Sequence, residues 1–465
     1  MSTKGSESLP EMMEFFESVS TDTFEQGALA KIVQYGLMVL RIRDSVFSAE
    51  GLRQGLQNYF TPKDTALFAP ALHTHLMSSG TRVAVTAAKD LGGKTDCLIT
   101  SYNHPSSSGE ADCKSSTYVV EREEDVDKDM KIWEAGMATS AAPYYLPSFK
   151  KSESQTEYID GAVWANCPAQ VAYAEMEKLW PNSTAPLDSM VSLGTGIQDT
   201  KPVEMPSLVN TRLLVTFRTI FQRQLDSKST WSHFVSETAP PHIRPRLHRF
   251  NPPLGGGDDQ VKLYNYKLIP ELRGRVDEWT STTAKEDVAR VANELIASLF
   301  FFEPDSVSDK HVGSLLSDKR NDVLHGTIRC RLGHQTPQLL HLLRMVEGFA
   351  FTQLDGAVGG NVNTVEAVRR LPVGQWEPVR MMVRDGANLR EVPPVNMIQV
   401  VDEVVGGHAA VPKFRVPYTI SVRRGSMGPL VIGVKLHRCE SRIAISGFPV
   451  IIADLKRRAG EVFLQ

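Results

Sequence analysis

The sequence predicts an α/β fold that continues into a helical extension and ends in a C-terminal part containing a small β unit. Three observations predict it. Up to about Thr200, short apolar runs bounded by glycine or charged residues alternate with helix-like stretches. Beyond that point Val288, Val291, Ala292, Leu295, Ile296 and Leu299 mark one apolar helical face. Nearer the C-terminus, apolar and polar residues alternate in two separate stretches.

Taken in order, the chain reads as helical until about Arg41 to Arg43, and Ser48 caps a second helix with Leu52, Leu56 and Tyr59 on one face. Arg82 to Ala88 is a short apolar run, read as a strand buried on both faces, and Cys97 to Tyr102 is a second strand. The acidic stretch Glu121 to Asp129 is read as a solvated face. Lys131 to Ala138 is a helix running into Thr139-Ser140-Ala141-Ala142-Pro143, where small residues permit close packing and Pro143 forces an end. A strand edge at Tyr158-Ile159-Asp160, a helix from about Ala169 to Leu179 and a strand from Met190 to Leu193 follow. Strand, helix and strand in this order make a parallel α/β unit. The later amphipathic helix is read from Glu286 to Phe302. Tyr418, Ile420 and Val422, then Leu430, Ile432, Val434 and Leu436, are two half-buried strands around a turn at Gly425 to Pro429.

Composition narrows the function. At 465 residues the chain exceeds one ordinary domain and should hold two or three. Its net charge is -3 and it has no long basic run, so no nucleic-acid partner is expected. Five scattered cysteines, Cys97, Cys113, Cys167, Cys330 and Cys439, form no C-x-x-C pair, which fits a reducing compartment rather than a disulfide framework or thiolate metal site. The first residues lack the basic start and apolar core of a signal peptide, and no apolar run reaches membrane-spanning length. A cytoplasmic protein is expected, with any membrane contact peripheral.

The chemistry centres on Tyr158 to Pro168. An apolar strand edge ends in Asp160, Gly161 lets the backbone turn sharply behind it, and a polar loop runs through Pro168 into a helix. Reactive groups in α/β enzymes gather at the carboxyl ends of strands, so Asp160 sits where a catalytic base would.

Several pieces in order carry a resemblance. They are Trp133-x-Ala135 leading to Ala138-Thr139-Ser140-Ala141-Ala142-Pro143-Tyr144-Tyr145, then Asp160-Gly161-Ala162 with Asn166-x-Pro168 behind it, then Ser192-Leu193-Gly194-Thr195-Gly196. Leu247-His248-Arg249-Phe250-Asn251 and Leu295 to Phe302 extend the match. Together they resemble the C-terminal half of a patatin-like phospholipase domain, closest to its fungal versions.

The resemblance implies a three-layer α/β/α domain, incomplete at its N-terminal edge, over residues 1–205, with a helical extension at 206–305 and a C-terminal region at 306–465 that turns β-rich from about 410. It implies a lipid acyl hydrolase working through a Ser-Asp dyad, with no metal or other cofactor and a lipid acyl ester as substrate. Asp160 would be the base, and Gly161 and Ala162 the rest of the acid motif, with Gly161 keeping space open beside the carboxylate. The nucleophile is unknown. In the family it lies in G-x-S-x-G, preceded by a glycine-rich oxyanion loop, and both should fall before residue 50. No G-x-S-x-G occurs in the sequence, and Ser6, Ser8, Ser18 and Ser20 lack the spaced glycines of such a turn. A truncated gene product is the preferred explanation, because the acid motif is well formed. The alternative is a pseudoenzyme that keeps lipid binding or a scaffolding role.

Plainer readings stand beside these. Asp-Gly-Ala recurs at Asp355-Gly356-Ala357 and Asp385-Gly386-Ala387, where turns are expected, and Asp160 itself could cap the following helix. Gly194-Thr195-Gly196 is read as a structural turn, Gly255 to Asp259 as a surface loop, His73 and His75 as surface or core residues, and Ser140 as a packing residue.

Overall fold

A computed structural model describes residues 9–25, 45–60, 66–67, 82–89, 95–102, 117–121, 128–143, 145–180, 187–199, 227–256, 261, 265–304, 321–332, 337–353, 377–378, 381–385, 388–392, 415–423, 428–451 and 454–455. The expected helix end at Arg41 to Arg43, His73, His75, Gly257 to Asp259, Asp355 to Ala357, Gly386 and Ala387 lie outside them. The chain divides into two compact units. One comprises Met1–Pro181, Gly194–Thr238 and Asn251–Trp279; the other comprises Asn182–Leu193, Ala239–Phe250 and Thr280–Gln465.

The first unit opens with α1 (Leu9–Phe24) and α2 (Glu50–Tyr59), which touch through the stacked rings of Phe15 and Tyr59. Then come β1 (Ala84–Lys89), β2 (Thr95–Thr100), β3 (Val119–Glu121), α3 (Ile132–Ser140), β4 (Phe149–Lys150), β5 (Glu157–Asp160), α4 (Ala162–Ala165) and α5 (Ala169–Leu179). The sheet order is β3-β2-β1-β5-β4, with β2 and β3 parallel and the other pairs antiparallel. Ala135, Met137 and Ala138 of α3 join Ala87, Cys97, Ile99 and Tyr158 in one buried cluster, so α3 covers one face. On α5, Tyr173 and Glu175 are buried, and Glu175 is bonded to Tyr102 and Tyr118. Helix, sheet and helix make the expected three-layer α/β/α arrangement.

Two local expectations change here. Strand β1 is buried only at Ala87 and Ala88, while Val83 and Ala84 are exposed, because its first residues run past the end of β5. The acidic stretch is not solvated at its ends: Glu121 and Asp129 are buried. Glu121 accepts the Tyr158 hydroxyl at 2.8 Å and pairs with Lys89 at 2.8 Å, which makes burial of the charge tolerable.

Downstream, β6 (Met190–Leu193), β7 (Ile197–Asp199), α6 (Ser227–His233), β8 (Leu247–Phe250), β9 (Pro253–Gly256), α7 (Ile269–Ser281), α8 (Lys285–Ser298) and β10 (Phe300–Pro304) succeed one another. The expected parallel unit of β5, α5 and β6 does not form as one sheet. Strand β6 pairs in parallel with β8, while β5 lies antiparallel to β1. The helix read to Phe302 ends at Ser298, and the phenylalanines that follow take up strand periodicity, with Phe300 and Phe302 buried and Phe301 half-buried.

The second unit continues with β11 (Asn321–Cys330), α9 (Pro337–Arg344), β12 (Val346–Gln353), β13 (Glu377–Pro378), β14 (Met381–Asp385), β15 (Asn388–Val392), β16 (Arg415–Arg423), β17 (Leu430–Leu436) and β18 (Ile443–Ala444). Its two larger sheets run β10-β11-β16 and β13-β12-β17-β18. The two alternating stretches are therefore not hairpin partners: β16 pairs with β11 and β17 with β12. Nor is β17 half-buried, since Val431 and Gly433 are buried along with Leu430, Ile432, Val434 and Leu436; only Lys435 is part-exposed. Asp385 pairs with Asn388 across β14 and β15, the closing pair expected of a hairpin.

Candidate active site

Asp160 is the last residue of β5, and its backbone N–H donates to the Ala141 carbonyl at 3.0 Å. Ala141 follows α3, so two pieces that are separate in sequence, Ala-Thr-Ser-Ala-Ala-Pro and Asp-Gly-Ala, meet in space. Helix α3 is tied to β1 as well, through the Thr139 hydroxyl donating to the Thr86 carbonyl at 2.7 Å. The position of Asp160 is thus set from both sides, by α3 and by its register partner Ala87 on β1.

Gly161 is required for space and not for an unusual turn. Its backbone is ordinary right-handed helical, φ -67° and ψ -11°, which any residue adopts. A Cβ at this position would lie 2.3 Å from the Thr86 carbonyl carbon and 2.4 Å from its oxygen. The sharp turn expected of a flexible glycine is therefore a close approach of two backbones, and the glycine's space is filled by Thr86 rather than left open beside the carboxylate.

The side chain of Asp160 accepts the Ala162 N–H at Oδ1, 2.8 Å away, closing a tight turn into α4. On α4, Trp164 donates its indole N–H to the Ala87 carbonyl at 2.9 Å and stacks on Tyr118, with ring centroids 5.6 Å apart. Pro168 then starts α5, its carbonyl accepting the Ala172 N–H at 2.9 Å. Burial pushes the Asp160 carboxyl up from about 3.8 to about 6, against the smaller opposing effect of the Ala162 N–H. Among the described residues, no serine or threonine hydroxyl donates to this carboxylate.

The third piece of the pattern is a separate local structure. Gly196 has φ +102°, and its N–H donates to the Asn251 side-chain oxygen at 2.8 Å. A Cβ on Gly194 would meet that same side chain at 2.2 Å. Gly194-Thr195-Gly196 is a turn clasped by Asn251, which explains why Leu247 to Asn251 recurred as part of the pattern.

Sequence reasoning missed the buried cluster beside α4. Tyr102 and Tyr118 donate to the two oxygens of Glu175 at 2.9 and 2.6 Å, and Lys178 Nζ lies 3.1 Å from Glu175 and 2.9 Å from the Tyr118 hydroxyl. Burial and the neighbouring Glu175 charge push the Tyr102 hydroxyl far above its ordinary range. The available signal was a glutamate two residues after the buried Tyr173, with a lysine three residues further on.

Comparison with known proteins adds to this geometry. Residues 6–173 match the family described as patatin-like phospholipase. Over these residues the chain is similar to a patatin-like phospholipase domain. A stretch of 71 residues is 41% identical to Phospholipase A I of Arabidopsis thaliana, and covers 15% of this chain and 5% of that protein. Residues 323–460, which make up much of the second unit, match a domain of unknown function, DUF8392. Among the described residues, no helix is long and apolar enough to cross a membrane.

Proposed function

We propose that the patatin-like domain serves the hydrolysis of acyl esters of phospholipids or neutral glycerolipids in the cytoplasm, without a metal, with Asp160 as general base. The observation that carries this reading is the buried carboxylate at the end of β5, pushed up to about 6 and so poised to take a proton near neutral pH. In the reaction a serine hydroxyl attacks the ester carbonyl while Asp160 takes its proton. The oxyanion forms on the carbonyl oxygen, the alcohol leaves carrying a proton, and water releases the acid from the acyl-enzyme. The serine itself is not assigned to any residue of this chain.

A second reading is a non-catalytic lipid-binding or scaffolding protein on the same fold. It is favoured by one observation: the known partner of the Asp160 side chain is the Ala162 N–H, a turn-forming bond that needs no catalysis to explain it.

The experiment is labelling of the full chain with a fluorophosphonate probe, run beside ester turnover, for wild type and Asp160→Asn. Labelling and turnover that both collapse in the variant support the general base. Labelling and turnover that survive it remove Asp160 from the mechanism. An unlabelled wild type without turnover leaves the second reading.

A further inference from the structure

Helix α1 carries an apolar stripe of which only one half is packed. Towards its C-terminal end α1 lies antiparallel against α2. A Cβ on Gly51 would stand 2.5 Å from the Asp22 carbonyl oxygen and one on Gly55 2.5 Å from a Val19 methyl, and Tyr59 stacks on Phe15 with ring centroids 3.9 Å apart. Helix α2 ends at Tyr59, level with Phe15, while α1 reaches back to Leu9, about 9 Å further at the usual rise per residue. On this overhang Leu9, Met12, Met13 and Phe16 are 70%, 51%, 37% and 63% exposed. Their spacing of i, i+3, i+4 and i+7 puts them on one face, the same face that buries Val19, Ser20 and Thr23 further along. Single exposed apolar residues are ordinary, whereas a continuous run of four marks a contact.

The charges around the stripe decide what it contacts. Glu11 and Glu14 lie about 150° round the helix from its centre, so they face away from anything seated on it. Glu17 flanks the stripe and is paired with Arg273 of α7, and the opposite flank is the stack of Phe15 on Tyr59. When two antiparallel helices are related by a two-fold axis, each flank meets its own copy. A neutralised ion pair and an aromatic stack both tolerate that arrangement. A membrane surface suits α1 poorly, because Leu9–Phe24 holds four acidic residues and no lysine or arginine, the reverse of the basic face that interfacial helices present.

We infer that this face joins two copies of the chain, with α1 of one lying antiparallel on α1 of the other. A two-fold axis passing between Met12 and Met13 sets Leu9 of each copy against Phe16 of the other and Met12 against Met13. The packed half of each helix then falls beyond Leu9 of the opposite one. Two methionines at the centre supply side chains that adapt to their neighbours. The four residues of both copies together offer roughly 900 Å² of accessible surface, and the two flanks bring the contact to the ~1,200 Å² at which specific interfaces begin. The contact goes beyond the hydrolase reading and uses none of its residues.

The test is sedimentation velocity of the full chain from about 1 to 100 μM, a range in which an interface of this size should pass from monomer to dimer. Phe16→Ser should weaken association about a hundred-fold, since both copies lose a buried ring. Trp180→Ser, at a half-exposed aromatic elsewhere on the first unit, should leave it unchanged. The antiparallel register is read from a charge pair. Leu9→Lys and Phe16→Glu should each abolish the dimer, and the two together in one chain should restore it at low salt, because each lysine then faces a glutamate of the other copy. If Phe16→Ser lowers the melting temperature, Met12→Ser, at a half-exposed position, replaces it with about a ten-fold effect expected. A wild type that stays monomeric at 100 μM overturns the proposal, whether or not the face then captures vesicles or another protein. So does a dimer that Phe16→Ser leaves intact or Trp180→Ser dissolves. Fluorophosphonate labelling is read separately, so either proposal can fail without the other.

Discussion

The Asp160 carboxylate is bonded at 2.8 Å to the N–H of Ala162, two residues on, and burial opposes its ionisation. Its proton affinity is raised on folding, so between about pH 4 and 6 the folded state binds a proton that the unfolded chain has released. Stability from this group is therefore fully present at low pH and is lost as pH rises through about 6. Asp160→Asn keeps an oxygen for the Ala162 N–H and removes the titration. Relative to wild type, the variant should gain about 2 kcal/mol between about pH 4 and pH 7, a figure discounted for partial exposure. Thermal melts across that range measure it; parallel curves for the two proteins would contradict the assignment. If Asp160 is a base, ester turnover should rise over the same window as the carboxylate loses its proton.

Gly161→Ala should destabilise the domain by about 3 kcal/mol, since the new methyl meets main-chain atoms that cannot rotate away. Adding Thr86→Ala takes away the Oγ1 contact at 2.4 Å but leaves the carbonyl contacts, so the double variant should recover little. Chemical denaturation of the two variants decides it. Full recovery would place the clash on the Thr86 side chain.

Glu175→Gln keeps the shape of the buried side chain but loses its charge and turns one acceptor into a donor facing a tyrosine hydroxyl. A loss of about 2 kcal/mol is expected, against about 1 kcal/mol for Tyr102→Phe, which deletes one donor. Equal costs in denaturant melts would mean that the carboxylate charge adds nothing.

In the second unit, Asp188 accepts the Ser446 hydroxyl at 2.7 Å and the Gly447 N–H at 3.2 Å, and pairs with Arg331 at 3.4 Å. Asp188→Ala should cost about 2 kcal/mol and speed amide exchange between Ile445 and Val450. Unchanged exchange there would show that Asp188 does not hold this turn.

Many individual elements could be read from the sequence, because they are local. The strand at Tyr158 to Asp160, the helix at Ala169 to Leu179 and the strand at Met190 to Leu193 depend on periodicity and on nearby glycine and proline. Pairing could not be read in the same way. Strand β6 finds β8 some fifty residues later, and β16 turns back to β11 in place of its neighbour β17. Such choices are made by the packing of distant apolar faces, and alternation along a single strand carries no record of them. Alternation also misled at β17, where valine and glycine fill the face read as solvated. At the site, Asp160 was visible as an aspartate at a strand end. The demand on Gly161 was not, since it is set by Thr86, far away in sequence.

That contact gives residue 161 a second meaning. Its lack of a side chain measures how closely β1 and the start of α4 approach each other, and Asp160 on one side and Trp164 on the other take their bearings from the same strand. A related chain with a larger residue at this position must hold the two backbones further apart. Its aspartate would then stand in a wider, wetter slot, with an acidity nearer to that of a free carboxyl group. The identity of one small residue thus foretells the proton affinity of its neighbour.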